Sequence, residues 1–199
     1  NNLVLRGADD KEIALTKDAT ANDFFNGTVF WSPDSTKLVA MRVKRGDERK
    51  VYLIESSPRD QLQPKLHTTT YPKPGDKLNL SAPHLFDVIE KKEVAIERES
   101  STDAWSNDRV RWSPDSSEFR FLHNRRGHQL LRYIGIDAKT GKARTIIDEA
   151  SKSFIDYAHK TFLHEVATTG EIIWMSERDG WCHLYLIDRK TGAVKNQIT

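Results

Sequence analysis

Hydrolytic chemistry needs an activated nucleophile, and metal chemistry needs histidines, cysteines or carboxylates at ligand spacing. This chain of 199 residues offers seven histidines and one cysteine. His123 and His128, like His159 and His164, stand five positions apart, which puts neither pair on one face of a strand and matches no zinc signature. Ser106 and Ser153 lack the flanking glycines of a Gly-x-Ser-x-Gly elbow, where small residues permit the strained turn that presents a nucleophilic serine. Ser176 falls in a strand or turn. No catalytic residue, metal site or cofactor is therefore expected in this chain. Asp34 and Asp115 each follow Trp-Ser-Pro and are expected to form turns, not to act as acids.

The elements that carry these residues are repeated. Trp31-Ser32-Pro33-Asp34 recurs as Trp112-Ser113-Pro114-Asp115, each copy between alternating apolar stretches. Proline presets φ at the second turn position, and Asp and Ser bond nearby backbone N–H groups. The tryptophan is expected to supply buried surface. A second repeat is Ile136–Lys142 against Ile187–Ala193, both carrying Asp-x-x-Thr-Gly. Period-2 patterns recur throughout and no long amphipathic helix is found.

Strands are expected at 3–6, 12–16, 28–31, 38–43, 50–55, 84–89, 93–97, 108–112, 118–123, 129–137, 143–148, 162–167, 171–177, 183–188 and 193–199, the first two joined through Gly7-Ala8-Asp9-Asp10. The segment 56–81, with Tyr71-Pro72-Lys73-Pro74-Gly75, reads as a loop excursion. Four antiparallel strands in a period of about forty residues describe a β-propeller blade. The fold class is all-β: a partial propeller, one domain over 1–199, with half a blade at 3–17 and blades near 28–99, 108–149 and 160–199. Propellers close with about four to eight blades, so further blades are expected outside this sequence; the start at Asn1, without an initiator Met, also reads as a fragment.

The charge balance, 31 basic against 29 acidic residues, predicts no strong attraction to nucleic acid or anionic membrane. No stretch is apolar enough for a membrane span. Cys182 is the sole cysteine, which excludes an internal disulfide. Arg125-Arg126 with Arg109 and Arg111 reads as a solvated cluster, Arg45-Gly46-Asp47 as an ordinary hairpin turn, and Trp174 and Trp181 as packing aromatics.

Several segments together resemble the N-terminal β-propeller of dipeptidyl peptidase IV-like serine peptidases of the prolyl oligopeptidase superfamily, in a bacterial sub-group. They are Trp31–Lys37, Tyr71-Pro72-Lys73-Pro74-Gly75, Trp112–Ser116 and Ser176-Glu177-Arg178-Asp179-Gly180-Trp181 with His183-Leu184-Tyr185. The resemblance implies an eight-bladed propeller, followed by an α/β-hydrolase domain with a Ser-His-Asp triad that releases dipeptides from peptide N-termini. The propeller would gate and orient peptide substrates, in the periplasm or cell envelope, and a homodimeric parent is compatible with it. The family's propeller usually supplies paired glutamates to hold the substrate ammonium. The matching stretch here, Ala21–Gly27, has no adjacent glutamates. Asp23 is the one acid that could serve, the alternative being a plain interblade link, and strict dipeptidyl specificity is thereby put in doubt. Tyr71 is the second candidate substrate contact, its loop alternatively a covering flap or dimer contact. A stand-alone propeller scaffold that binds envelope proteins is the reading from another class.

Overall fold

The computed structural model describes residues 1–7 and 9–199; the expected turn at 7–10 includes Ala8, which lies outside the described residues. Every sheet is antiparallel. Strands β1 (Val4–Arg6) and β2 (Glu12–Ala14) form a two-stranded sheet. The first four-stranded sheet orders β3 (Asp23–Trp31), β4 (Lys37–Lys44), β7 (Leu80–Asp87) and β8 (Lys92–Val94). The second contains β9 (Ala104–Trp112), β10 (Glu118–Arg125), β11 (Leu130–Asp137) and β12 (Ala143–Ala150). The third contains β13 (Leu163–Val166), β14 (Glu171–Ser176), β15 (His183–Asp188) and β16 (Val194–Gln197). In each of the three, strands adjacent in the sheet follow one another in chain order, as in propeller blades.

The excursion is more ordered than its prolines suggested. Strand β5 (Lys50–Glu55) pairs only with β6 (Lys65–Thr70), so 50–70 is a separate hairpin and β7 takes the place beside β4. Strand β6, Lys65-Leu66-His67-Thr68-Thr69-Thr70, has no alternating apolar face; its threonines favour a strand through branching at Cβ alone.

The core lies between sheets. Val39, Met41 and Leu85 of the first sheet pack on Val110, Phe119, Phe121, Ile134 and Ile136 of the second. Leu122, Leu131, Tyr133, Ile146 and Ile147 then meet Ile172, Trp174, Tyr185 and Ile187 of the third. On the other face of the first sheet, Phe25, Leu38, Ala40 and Phe86 pack on Leu3 and Leu15 beside the small β1–β2 sheet.

The repeated turns lock the sheets together. Asp34 accepts from the Ser32 hydroxyl at 2.6 Å and from the Thr36 N–H at 3.0 Å; Asp115 does the same with Ser113 at 2.6 Å and Ser117 at 3.1 Å. These bonds, the serine hydroxyls first, hold both carboxyls down at about 2. The Asp34 N–H also donates to the Ser116 hydroxyl, tying one turn to the next. In the Asp-x-x-Thr-Gly turns, Gly141 and Gly192 adopt φ of 72° and 75°. A Cβ would stand 1.9 Å from the Ala95 carbonyl at Gly141 and 2.3 Å from the Ile146 carbonyl at Gly192. Glycine is required there because each turn presses on the backbone of the preceding sheet.

Two aromatic expectations fail. Trp112 is half-buried and donates through Nε1 to the Phe30 carbonyl of the first sheet at 3.0 Å. Trp31, at the same turn one repeat earlier, is 47% exposed, because this chain supplies only the short β1–β2 sheet ahead of it. Trp181 is 76% exposed at a loop tip, whereas Trp174 is buried and donates to Glu149.

Candidate functional site

The antiparallel order gives the sheets two unlike ends. At one end lie the short Ser-Pro-Asp-Ser and Asp-x-x-Thr-Gly turns, their backbone groups bonded within the turns. A cleft of about 810 Å³ opens there between the second and third sheets. Its charges already serve one another. Arg120, 3% exposed, bonds Glu165 at 3.0 Å and Glu118 at 3.1 Å. Arg144 bonds Glu118 at 2.7 Å and the Arg189 carbonyl at 3.1 Å, and the Tyr133 hydroxyl also meets Glu165. Burial and the Glu165 carboxylate push the Tyr133 phenol far above its usual range. This is a buried ion network that joins two sheets.

The opposite end carries the hairpin 50–70, the 151–162 link and the β14–β15 loop, together with the tight β10–β11 turn. Functional side chains concentrate on such connections because the sheets beneath hold them rigidly. Here Trp105 at the start of β9 packs edge-on against His128, with ring centroids 5.0 Å apart. His128 in turn stacks on Tyr157 at 4.1 Å, with Phe154 edge-on at 5.7 Å. The Ile155 N–H donates to the His128 carbonyl, which returns the link onto the β10–β11 turn. Burial lowers the His128 pKa, so the ring is neutral near pH 7. Trp105 and Phe154 keep outer faces in solvent. Such a rigid aromatic ledge suits apolar or prolyl side chains. Sequence reasoning missed it, since its members are spread over 105–157 and share no period; the only local signal was Gly127-His128 in a turn.

Each residue singled out in the sequence has a definite place. Asp23 is not in a link but opens β3, where its carboxylate takes the Arg42 Nε at 2.6 Å. Arg42 also holds Asp18 at 2.8 Å, so two carboxylates gather on one guanidinium at this end. Tyr71 follows β6 directly; its N–H bonds the Arg49 carbonyl and its ring is exposed. The structure does not bring Asp23 and Tyr71 into contact. Arg45-Gly46-Asp47 is not a hairpin turn, since β4 and β5 do not pair. It is the stem of the excursion, pinned by Gly46 N–H to Asn79 and by Asp47 N–H to the Lys77 carbonyl.

The Ser176–Trp181 motif proves structural at its start. The Ser176 hydroxyl donates to Glu149 at 2.6 Å, and Arg178 reaches the same carboxylate at 2.8 Å while lying 4.7 Å over the Tyr185 ring. His123 is a core residue. Its Nδ1 meets Asn107 Oδ1 at 2.9 Å, Asn107 donates to the Ser81 carbonyl, and Nε2 has no partner among the described residues. Burial first, then the nearby Arg132 and Arg125 charges, bring its pKa down to about 4.

Two crystal structures share this architecture. Dipeptidyl peptidase 4 of Porphyromonas gingivalis superposes with a TM-score of 0.73 at 23% identity, over 100% of this chain and 30% of that one. A putative dipeptidyl aminopeptidase IV from Bacteroides ovatus gives 0.61 at 17% identity, over 96% of this chain and 30% of that one. The chain thus spans about 30% of the length of each. At these identities the likeness speaks for the partial propeller fold. The model of the dipeptidyl peptidase IV (DPP IV) N-terminal region matches residues 1–199. With its repeated blade sheets and locked Ser-Pro-Asp turns, this chain belongs to the dipeptidyl peptidase IV N-terminal region family.

Proposed function

We propose that this chain is the non-catalytic propeller portion of a dipeptidyl peptidase IV-like serine peptidase, which gates and orients peptides for an α/β-hydrolase domain elsewhere in the parent protein. What carries the reading is the family match along the whole chain. The asymmetry of the sheet ends supports it: tight polar turns at one end, and at the other the Trp105–His128–Tyr157 ledge, the Asp18 and Asp23 carboxylates and Tyr71. In this reading Asp23, with Arg42 fixing its rotamer, presents acidic charge to the substrate's ammonium group, and Tyr71 lines the approach. The parent works in the periplasm or envelope as a homodimer. The exposed Tyr52, Leu53 and Ile54 of β5, with Leu66 of β6, form the dimer contact, because a lone two-stranded hairpin is marginal unless its apolar residues are covered.

The test is hydrolysis of Gly-Pro and Ala-Pro p-nitroanilides. The full-length parent should release p-nitroaniline, and residues 1–199 alone should not, for want of an activated nucleophile. A full-length protein that binds such dipeptides to no effect, or a parent that ends after a few more blades, would favour a binding scaffold instead.

A further inference from the structure

A second cleft, about 290 Å³, opens at the loop-bearing end where the stem of the hairpin meets the second sheet. Four exposed cations line it: Lys44 and Arg45 from the end of β4, Lys77 from the return of the excursion, and Arg126 from the β10–β11 turn. Two neighbouring arginines are neutralised. Arg42 is held by Asp18 and Asp23, and Arg49 by Asp47 and Asp76. Among the described residues, none of the four cleft cations forms an ion pair; Arg45 lies over the Phe24 ring at 5.3 Å. A single carboxylate, Asp103, shares the lining, and Leu78 and Leu80 provide an apolar floor.

Uncompensated like charges brought together by three separate segments raise one another's energy. The walls are built, not incidental: the Arg126 N–H donates to the Asp103 carbonyl at 2.7 Å, and the Asp47 N–H to the Lys77 carbonyl at 2.8 Å. The cleft runs on, sharing Lys77 and Leu78, into a second depression bounded by Pro72 and Trp105 of the aromatic ledge.

We propose that this cleft binds an acidic peptide segment, namely carboxylate-bearing residues of the substrate beyond its N-terminal dipeptide. The cations take side-chain carboxylates and the leucine floor takes an apolar residue between them. The narrow cleft and its apolar floor distinguish this occupant from a nucleic-acid strand, which needs an extended basic track. The naming of the occupant as substrate rests on the peptidase reading, but the charge preference does not.

The test uses the full-length protein and N-acetylated, fluorescein-labelled peptides, whose blocked amino end keeps binding separate from dipeptide release. Anisotropy should give a Kd for an Ac-Glu-Leu-Glu-Leu peptide about tenfold below that for Ac-Gln-Leu-Gln-Leu, with the difference shrinking in high salt. Lys44→Glu combined with Arg126→Glu should abolish the preference. Lys142→Glu, in a turn at the opposite end, should leave it intact, and unchanged thermal unfolding of each variant shows that the fold persists. Equal affinity for both peptides, an unaltered preference in the double variant, or equal binding of a single-stranded oligonucleotide would each overturn the proposal. If the peptidase reading alone fails, the charge preference remains while Ala-Pro p-nitroanilide is left uncleaved.

Discussion

Arg120 and His123 sit on the same strand, one residue polar and charged, the other polar and neutral, and both are buried. Arg120 is sustained by bidentate contact with Glu165 and by Glu118. Burial opposes its charge, and Glu165, Tyr133 and Glu118 together more than restore it. Replacing Arg120 with leucine leaves Glu165 with Arg189 and Tyr133 and Glu118 with Arg144, so stability should fall by at most about 3–5 kcal/mol, and by less when Glu165 is replaced as well; urea unfolding of the two variants checks this. His123 behaves in the opposite sense. Its folded pKa of about 4 lies below the ordinary histidine value of 6.5. The unfolded chain therefore binds the proton more readily. The stability His123 contributes is fully present above pH 6.5 and is lost as pH falls through 4. That loss amounts to about 2–3 kcal/mol, and His123→Gln should flatten the acid side of the unfolding profile. The burial of His123 was not legible in the sequence. Its position beside Phe121 and Leu122 showed a strand, while its burial depends on the first sheet, whose Ser81 carbonyl takes the Asn107 amide beside it, stacking from far back in the chain.

At the scale of elements, the turns were the most legible part of the molecule. Proline and Asp in Ser-Pro-Asp-Ser, and Gly in Asp-x-x-Thr-Gly, satisfy local geometry, so their chemistry is written in four or five adjacent residues. The hairpin 50–70 was half legible. Strand β5 carries the apolar run Val51-Tyr52-Leu53-Ile54, but β6 is recognised only through its partner, because its own residues show no buried face. Since β5 and β6 pair with no blade strand, replacing residues 50–70 with a short Gly-Ser linker should leave the sheets folded. Near-UV circular dichroism should be unchanged, while sedimentation of the full-length protein should shift from dimer to monomer. Loss of the tertiary signal would mean that the hairpin is part of the core, and a persisting dimer would place the contact elsewhere.

The whole molecule is a stack of sheets whose two ends differ in kind. Its all-β partial-propeller class followed from repeated turns and period-2 strands. Which end could meet a peptide did not follow, since Trp105, His128, Phe154 and Tyr157 are brought together only when the 151–162 link folds back over the β10–β11 turn. Exposed Trp31 and Trp181 show the same limit: a tryptophan in a strand or turn is buried only if another sheet arrives to cover it. Peptides are expected to engage the loop-bearing end. Hydrogen exchange of the full-length protein, with and without a slowly cleaved prolyl peptide, measures it directly. Exchange should slow at 104–106, 125–129 and 151–160 and stay unchanged at the 32–36 and 113–117 turns; protection confined to those turns, with the loop-bearing end unchanged, would mean that peptides bind at the opposite end.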